Sequence, residues 1–205
     1  VGGRRRRAGR APLGAPTDGS LTMTALTDWA VRTAGTRDAD ALAALAAVTF
    51  PLACPPGSAA ADQQAFLDAH LSAQRFAAYV RDTGRVVLVA ATPGDEAALL
   101  GYTMLVAGEP TDDDARAAVH IRPTVELSKC YVHPDHHGAG VASALLRTSF
   151  DHARALGGAG MWLGVNQHNA RAQAFYAREG FAVVGVKHFQ VGARLEDDYV
   201  LERPL

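Results

Sequence analysis

The spacing of apolar positions changes several times along the chain, and each change marks an element. Residues 29–34 (WAVRTA) read as a short strand, and Thr36 or Asp38 then caps an Ala/Leu-rich helix reaching about Phe50. The run 51–57 (PLACPPG) breaks that helix. Two shorter helices follow at 61–71 and 73–81, with Ser72 as the cap between them. Residues 85–91 (RVVLVAA) form a β-branched run typical of a buried strand. Pro93, Gly94 and Asp95 turn the chain back into a strand at 99–106, giving a hairpin. A polar stretch at 108–122, holding Asp112, Asp113 and Asp114, reads as a solvated loop.

The second half is more sharply patterned. Residues 125–132 make a fourth strand. Leu145, Leu146, Ser149, Phe150, Ala153 and Leu156 then recur at helical spacing within 141–156. A glycine cluster at 157–160 ends that helix, residues 161–165 form a fifth strand, and a helix at 169–179 is closed by Gly180. Strands at 181–189 and 197–203 complete the chain. The order is strand, helices, three-strand meander, helix, strand, helix, two strands. It predicts a mixed α/β (α+β) domain with a mostly antiparallel sheet, not a doubly wound parallel one.

Composition narrows this picture. A chain of 205 residues with 48% hydrophobic and 20% charged residues is sized for one domain with a substantial core. The net charge of −1 hides an asymmetry. Five arginines face one aspartate in the first 22 residues, so removing that excess of about +4 leaves about −5 for the rest. Residues 1–22, rich in Arg, Gly and Pro, are expected to be a disordered extension, and 23–205 a single domain. A basic arm, a targeting sequence and translation from upstream of Met23 remain open for the extension. The apolar core of a secretory signal is missing from it. The mildly acidic remainder gives no drive toward nucleic acid, and no stretch has the length of a membrane helix. Cys54 and Cys130 are the only cysteines, which fits a reducing cytoplasm and small buried side chains.

The chemistry concentrates where the fourth strand runs into the turn His137-Gly138-Ala139-Gly140-Val141-Ala142 and then a helix. Backbone N–H groups at such a helix start cradle phosphates. A Walker loop would need Gly-Lys-Ser/Thr, but Val141 follows Gly140. A dinucleotide fingerprint would need Gly or Ala where Ser143 stands, and an acid where the glycine cluster falls. Neither nucleotide loop fits. His133, Asp135, His136 and His137 are spaced too loosely for a metal site.

What remains is H-x-x-G-x-A after a strand ending L-x-K-C-Y-V, followed by N-x-x-A-x-x-F-Y-x-x-x-G-F at Asn169 to Phe181. This pair resembles the acetyl-CoA-binding motifs of the GNAT N-acetyltransferase superfamily, over essentially all of 27–205. The fragments WLGV at 162–165, HFQVG at 188–192, LEDDYVLERPL at the end and the Thr49-Phe50 pair resemble, more narrowly, the bacterial PaiA-like spermidine/spermine N-acetyltransferases.

The resemblance implies a GNAT fold with helices on both faces of a twisted sheet, and acetyl-CoA as co-substrate. It assigns the phosphate cradle to His137, Gly138, Ala139, Gly140, Val141, Ala142 and Ser143, and strand-like pairing of the pantetheine arm to the backbone near Tyr131 and Val132. It makes Asn169 a pantetheine or water contact and Tyr176 the general acid at the departing thiolate. Glu126 becomes the base, directly or through water. Simple alternation along the strand places Glu126, Ser128, Cys130 and Val132 on one face. His137 departs from the Gln or Arg of the family pattern, because histidine carries charge only below about pH 6.5. CoA binding is still expected, since the cradle is mostly backbone.

The expected reaction is direct acetyl transfer to the primary amine of a small molecule, with a polyamine as first candidate. An amino acid, an antibiotic amine or a protein N-terminus remains open. No histidine is held beside Cys130, so a covalent Cys130 intermediate is not expected. The acceptor pocket is expected from 50–80 and 108–124, and a homodimer would fit the family. A CoA-binding regulatory module with decayed catalysis is the alternative, and the presence of Tyr176, Asn169 and Glu126 weighs against it.

Overall fold

The computed structural model describes residues 28–54, 57–191 and 194–205; the extension assigned to 1–22 lies outside the described residues. Seven strands form one sheet: β1 (Ala30–Thr33), β2 (Arg85–Thr92), β3 (Asp95–Ala107), β4 (Thr124–Val132), β5 (Gly160–Asn166), β6 (Ala182–Val191) and β7 (Arg194–Pro204). Their order is β1-β2-β3-β4-β5-β7-β6, antiparallel except between β4 and β5. Among the described residues six α-helices cover it: α1 (Ala39–Ala53), α2 (Ala60–His70), α3 (Ala73–Arg81), α4 (Asp113–Ala118), α5 (Val141–Ala155) and α6 (Ala170–Arg178).

The helices divide between the two faces, as the pattern of buried residues requires. Helices α1, α2 and α3 bury Leu42, Leu45, Phe50, Leu67 and Phe76 against alternate residues of β2 and β3. On the other face α5 packs Leu145, Leu146 and Phe150 against the residues in between. Leu42, Phe76, Leu88 and Met104 are almost wholly buried, and each such side chain contributes roughly 1.5–3 kcal/mol.

Three local expectations change. Pro51 does not end α1 but sits in its last turn, and the helix continues to Ala53. The polar stretch after β3 contains α4, capped by Asp112, whose carboxylate accepts the Ala115 N–H at 2.8 Å. Ala115 and Ala118 pack with Trp162, Val184 and Val200 on the α1 face. The helix is too short for its apolar period to stand out from the aspartates around it.

The third change bears on function. Lys129 pairs with Met104 and Leu127 with Leu105, so Ser128 is an extra residue, a β-bulge. Beyond it the facing of β4 is exchanged, and the single face proposed for Glu126, Ser128, Cys130 and Val132 does not exist. Cys130 joins Val125 and Leu127 under α5, and Val132 packs against Val141 and Leu145. Glu126, Lys129 and Tyr131 lie opposite Val106, Met104 and Tyr102, and so share the α1 face.

Candidate active site

Strands β4 and β5 pair in parallel at only three positions, ending at Glu126 and Trp162. Past that rung they separate, and the backbone of residues 127–132 faces an opening instead of a neighbouring strand. Two cavities occupy the opening. The larger, about 510 Å³, runs from the end of α1 over β4 to the start of α5 and along α6. The smaller, about 270 Å³, lies among α1, α2, β4, β5 and the β6–β7 pair. The volumes suit an extended cofactor-sized ligand and a small molecule. Ala53, Cys130, Tyr131, Asn169, Ala172 and Tyr176 line both, so the cavities adjoin along one wall.

The turn before α5 has the form the sequence implied. Gly138 (φ 84°) and Gly140 (φ 80°) both take the left-handed conformation open to glycine. Gly140 caps α5 without any side-chain hydrogen bond, leaving the first-turn N–H groups to the larger cavity. Gly138, Gly140, Val141, Ala142 and Ser143 line it. Ala139 does not; it is exposed, and its N–H is spent on the His136 carbonyl. The Ser143 hydroxyl donates to Glu179 at 2.8 Å, tying α5 to the end of α6.

His137 is engaged at both ring nitrogens. Nε2 lies 3.0 Å from the Val132 carbonyl and Nδ1 3.0 Å from Nη1 of Arg171. Arginine can only donate, so Nδ1 accepts and the ring proton sits on Nε2, donating to Val132. The ring is therefore neutral in this arrangement, and the permanent charge beside the cradle belongs to Arg171. Arg171 and Arg178 both line the cavity. The Val132 carbonyl, expected to meet the pantetheine arm, thus already accepts one hydrogen bond.

At the shared wall, Asn169 caps α6, accepting the Ala172 N–H at 3.0 Å. That fixes its carbonyl, and the residue lines both cavities. Tyr176 is buried in the α6–β4 core, in one cluster with Cys130. Burial holds the Tyr176 phenol well above its ordinary 10.0. Burial also pushes Cys130 up to about 11, with the hydrogen bond from Tyr176 partly opposing it. A thiol held protonated in this way is a poor nucleophile. Tyr131, stacked on Tyr102 with ring centroids 5.5 Å apart, forms the opposite side of the wall.

Glu126 lines the smaller cavity, not the larger. Burial raises its carboxyl above 4.5, partly opposed by the Lys129 charge and the Ser128 hydroxyl. Lys129, Lys187, Asp198 and Asn166 line the same cavity and were missed in the sequence. A lysine inside an apolar strand carries the same signal that singled out Glu126. Phe50 and Phe66, stacked at 4.6 Å, close the α1–α2 side. The acceptor walls expected from 108–124 are absent, because α4 packs against β6 and lines neither cavity. Among the described residues no group of three His, Cys, Asp or Glu is placed to hold a metal, and no helix is long and apolar enough to cross a membrane.

Comparison with known proteins agrees with this geometry. Residues 54–181 match the model of the acetyltransferase (GNAT) family. An uncharacterized N-acetyltransferase of Mycobacterium tuberculosis is 46% identical over 168 residues, covering 82% of this chain and 98% of that protein. The L-amino acid N-acyltransferase of Escherichia coli is 36% identical over 103 residues, covering 47% of this chain and 59% of that one. Among solved structures, the PaiA N-acetyltransferase of Thermoplasma acidophilum in complex with coenzyme A superposes with a TM-score of 0.67. It covers 86% of this chain and 99% of its own at 16% identity, a likeness of fold alone. A splayed β4–β5 pair, a glycine cradle at α5 and a tyrosine at the junction of two cavities thus coincide with a family match over most of the chain: the protein belongs to the GNAT family and is an acetyl-CoA-dependent N-acetyltransferase.

Proposed function

We propose that the enzyme acetylates the primary amine of a small molecule in the 270 Å³ cavity, by direct transfer from acetyl-CoA lying in the 510 Å³ cleft. One observation carries this reading: the two cavities share a wall that holds Tyr176, Asn169 and Cys130. The N–H groups of Gly138 and Gly140 to Ser143 receive the pyrophosphate, aided by the α5 dipole. Ala139 only shapes the turn. The open edge of β4 near Tyr131 and Val132 pairs with the pantetheine arm in the manner of an added strand. Asn169 directs an amide N–H to that arm.

The amine arrives as an ammonium and must lose a proton before it attacks. Glu126 accepts that proton, directly or through one water, and burial makes it the stronger base for the task. The nitrogen bonds to the acetyl carbon, the carbon–sulfur bond breaks, and the sulfur takes the electron pair while accepting a hydrogen bond from Tyr176. The second proton of the attacking nitrogen ends on that sulfur, giving the amide and CoA thiol. Cys130 stays a protonated neighbour of Tyr176, and no acyl-enzyme forms. Initial-velocity kinetics over a panel of primary amines test this. Intersecting double-reciprocal lines are expected; parallel lines would indicate an acyl-enzyme.

Arg171 compensates for the histidine at position 137, since its guanidinium brings to the phosphates the charge that a neutral His137 lacks. Arg171→Ala should raise the KM for acetyl-CoA roughly tenfold, as for one charge-assisted hydrogen bond, with kcat little changed. The KM for S-acetylpantetheine, which lacks the pyrophosphate, should not move. An equal rise for both substrates would place Arg171 in folding and not in phosphate binding.

The polyamine reading rests on short sequence fragments, and the acceptor cavity opposes it. Lys129 would face the second ammonium of a polyamine. The name of the Escherichia coli relative favours an amino acid acceptor instead.

A further inference from the structure

Lys129 is a cation that the proposed transfer does not use. It follows the Ser128 bulge directly, and its position depends on that bulge. With regular alternation, residue 129 would share the face of Val125 and Leu127 and enter the apolar core beneath α5. The extra residue turns Lys129 to the opposite face, beside Glu126 and Tyr131, and into the acceptor cavity.

Its environment there is incomplete. Burial drives the Lys129 ammonium below its ordinary 10.5, and the charge of Glu126 only partly restores it. Among the described residues no carboxylate lies within ion-pair distance of it. A sequestered ammonium without an acceptor is costly unless a ligand completes it. Lys187 comes from the far side of the same cavity. It reaches over Gly164, where a Cβ would stand 2.6 Å from the Lys187 Cε, so the missing side chain makes room for it. Asp198, directly across the β6–β7 ladder from Lys187, lies beside it. Glu126 and Lys129, three residues apart across a bulge, thus present one negative and one positive group to the same small space.

We propose that the acceptor is an amine that also bears a carboxylate, such as an α-amino acid, with its carboxylate held by Lys129 while its ammonium faces Glu126. The inference rests on the transfer reading above and adds the acceptor class. Each charge of a zwitterion stabilises the charged form of its partner, so ligand and site become ionised together. A neutral amide leaves the lysine without an acceptor, and a polyamine sets a second ammonium against it.

Matched acceptors test this: L-amino acids, their carboxamides and spermidine, assayed by thiol release from acetyl-CoA. The amino acids should exceed their own amides in kcat/KM by at least about tenfold. Lys129→Met should remove that preference by raising the KM for the amino acid far more than that for its amide, and a circular-dichroism spectrum and melting curve matching those of the native enzyme show the variant to be folded. Lys129→Arg should restore part of the preference. Amides or spermidine turning over as well as amino acids, or Lys129→Met leaving the ratio unchanged, would overturn the carboxylate assignment but leave the transfer reading standing. Absence of thiol release with every acceptor would overturn both.

Discussion

Replacing Tyr176 with phenylalanine is expected to lower kcat by roughly 10–10³-fold with little change in the KM for acetyl-CoA, the scale on which a single acid–base group acts. The side chain is 8% exposed and packs between Phe175 and Phe181, so loss of one oxygen leaves the core intact. The lost group is the donor at the junction of the two cavities. With its proton held well above pH 10, Tyr176 remains a hydrogen-bond donor across the working range. In the proposed transfer it would therefore stabilise charge on the leaving sulfur without ionising itself. The loss belongs in kcat because that charge develops only as the carbon–sulfur bond breaks. A rise confined to KM would make Tyr176 a packing residue.

The second large effect is expected at Glu126. Glu126→Gln keeps the size and most of the hydrogen bonding but cannot accept a proton. It should reduce kcat/KM for the amine by roughly 10–10³-fold. In the native enzyme, activity should fall on acidification as Glu126 is protonated. Because burial raises this carboxyl, the fall should begin above its ordinary value of 4.5. The Gln variant should lose that acid limb and depend on pH only through the amine itself. Persistence of the limb would assign it to another group, and unchanged kcat/KM would leave Glu126 as a wall of the cavity.

Most of the architecture was legible from period and punctuation alone. The strand at 125–132, the glycine turn and the helix with Leu145, Leu146 and Phe150 on one face are local features, and local pattern specifies them. The shape of the turn was legible for the same reason, since Gly138 and Gly140 take a conformation that few other residues can adopt. What was lost depended on pairing between strands. Nothing in VELSKCYV marks Ser128 as an extra residue, because a bulge is defined by the register with β3. With alternation assumed, Cys130 and Val132 were set beside Glu126, and the face shared by Glu126 and Lys129 was missed.

The charged residues of the acceptor cavity were hidden for a related reason. Lys187 and Asp198 are far from Lys129 in sequence and come to line the same cavity through the order β4-β5-β7-β6. Arg171 stood inside the quoted Asn169 motif, but its role depends on His137, which only the tertiary structure brings within 3.0 Å. The proposed role of Arg171 would account for His137, the one position that did not fit the family pattern: its ring holds a neighbour's guanidinium instead of supplying a charge of its own.

In the proposed reaction the acetyl group passes straight from the thioester to an amine across the Tyr176 wall. Single-turnover mixing of enzyme with acetyl-labelled acetyl-CoA, with and without an amino acid acceptor, follows the label most directly. N-acetylated acceptor should appear at the same rate as CoA thiol, with no labelled protein when the amine is omitted. Label on the protein before it reaches the amine, with Cys130 as the obvious place to look, or thiol release without an N-acetyl product, would contradict it.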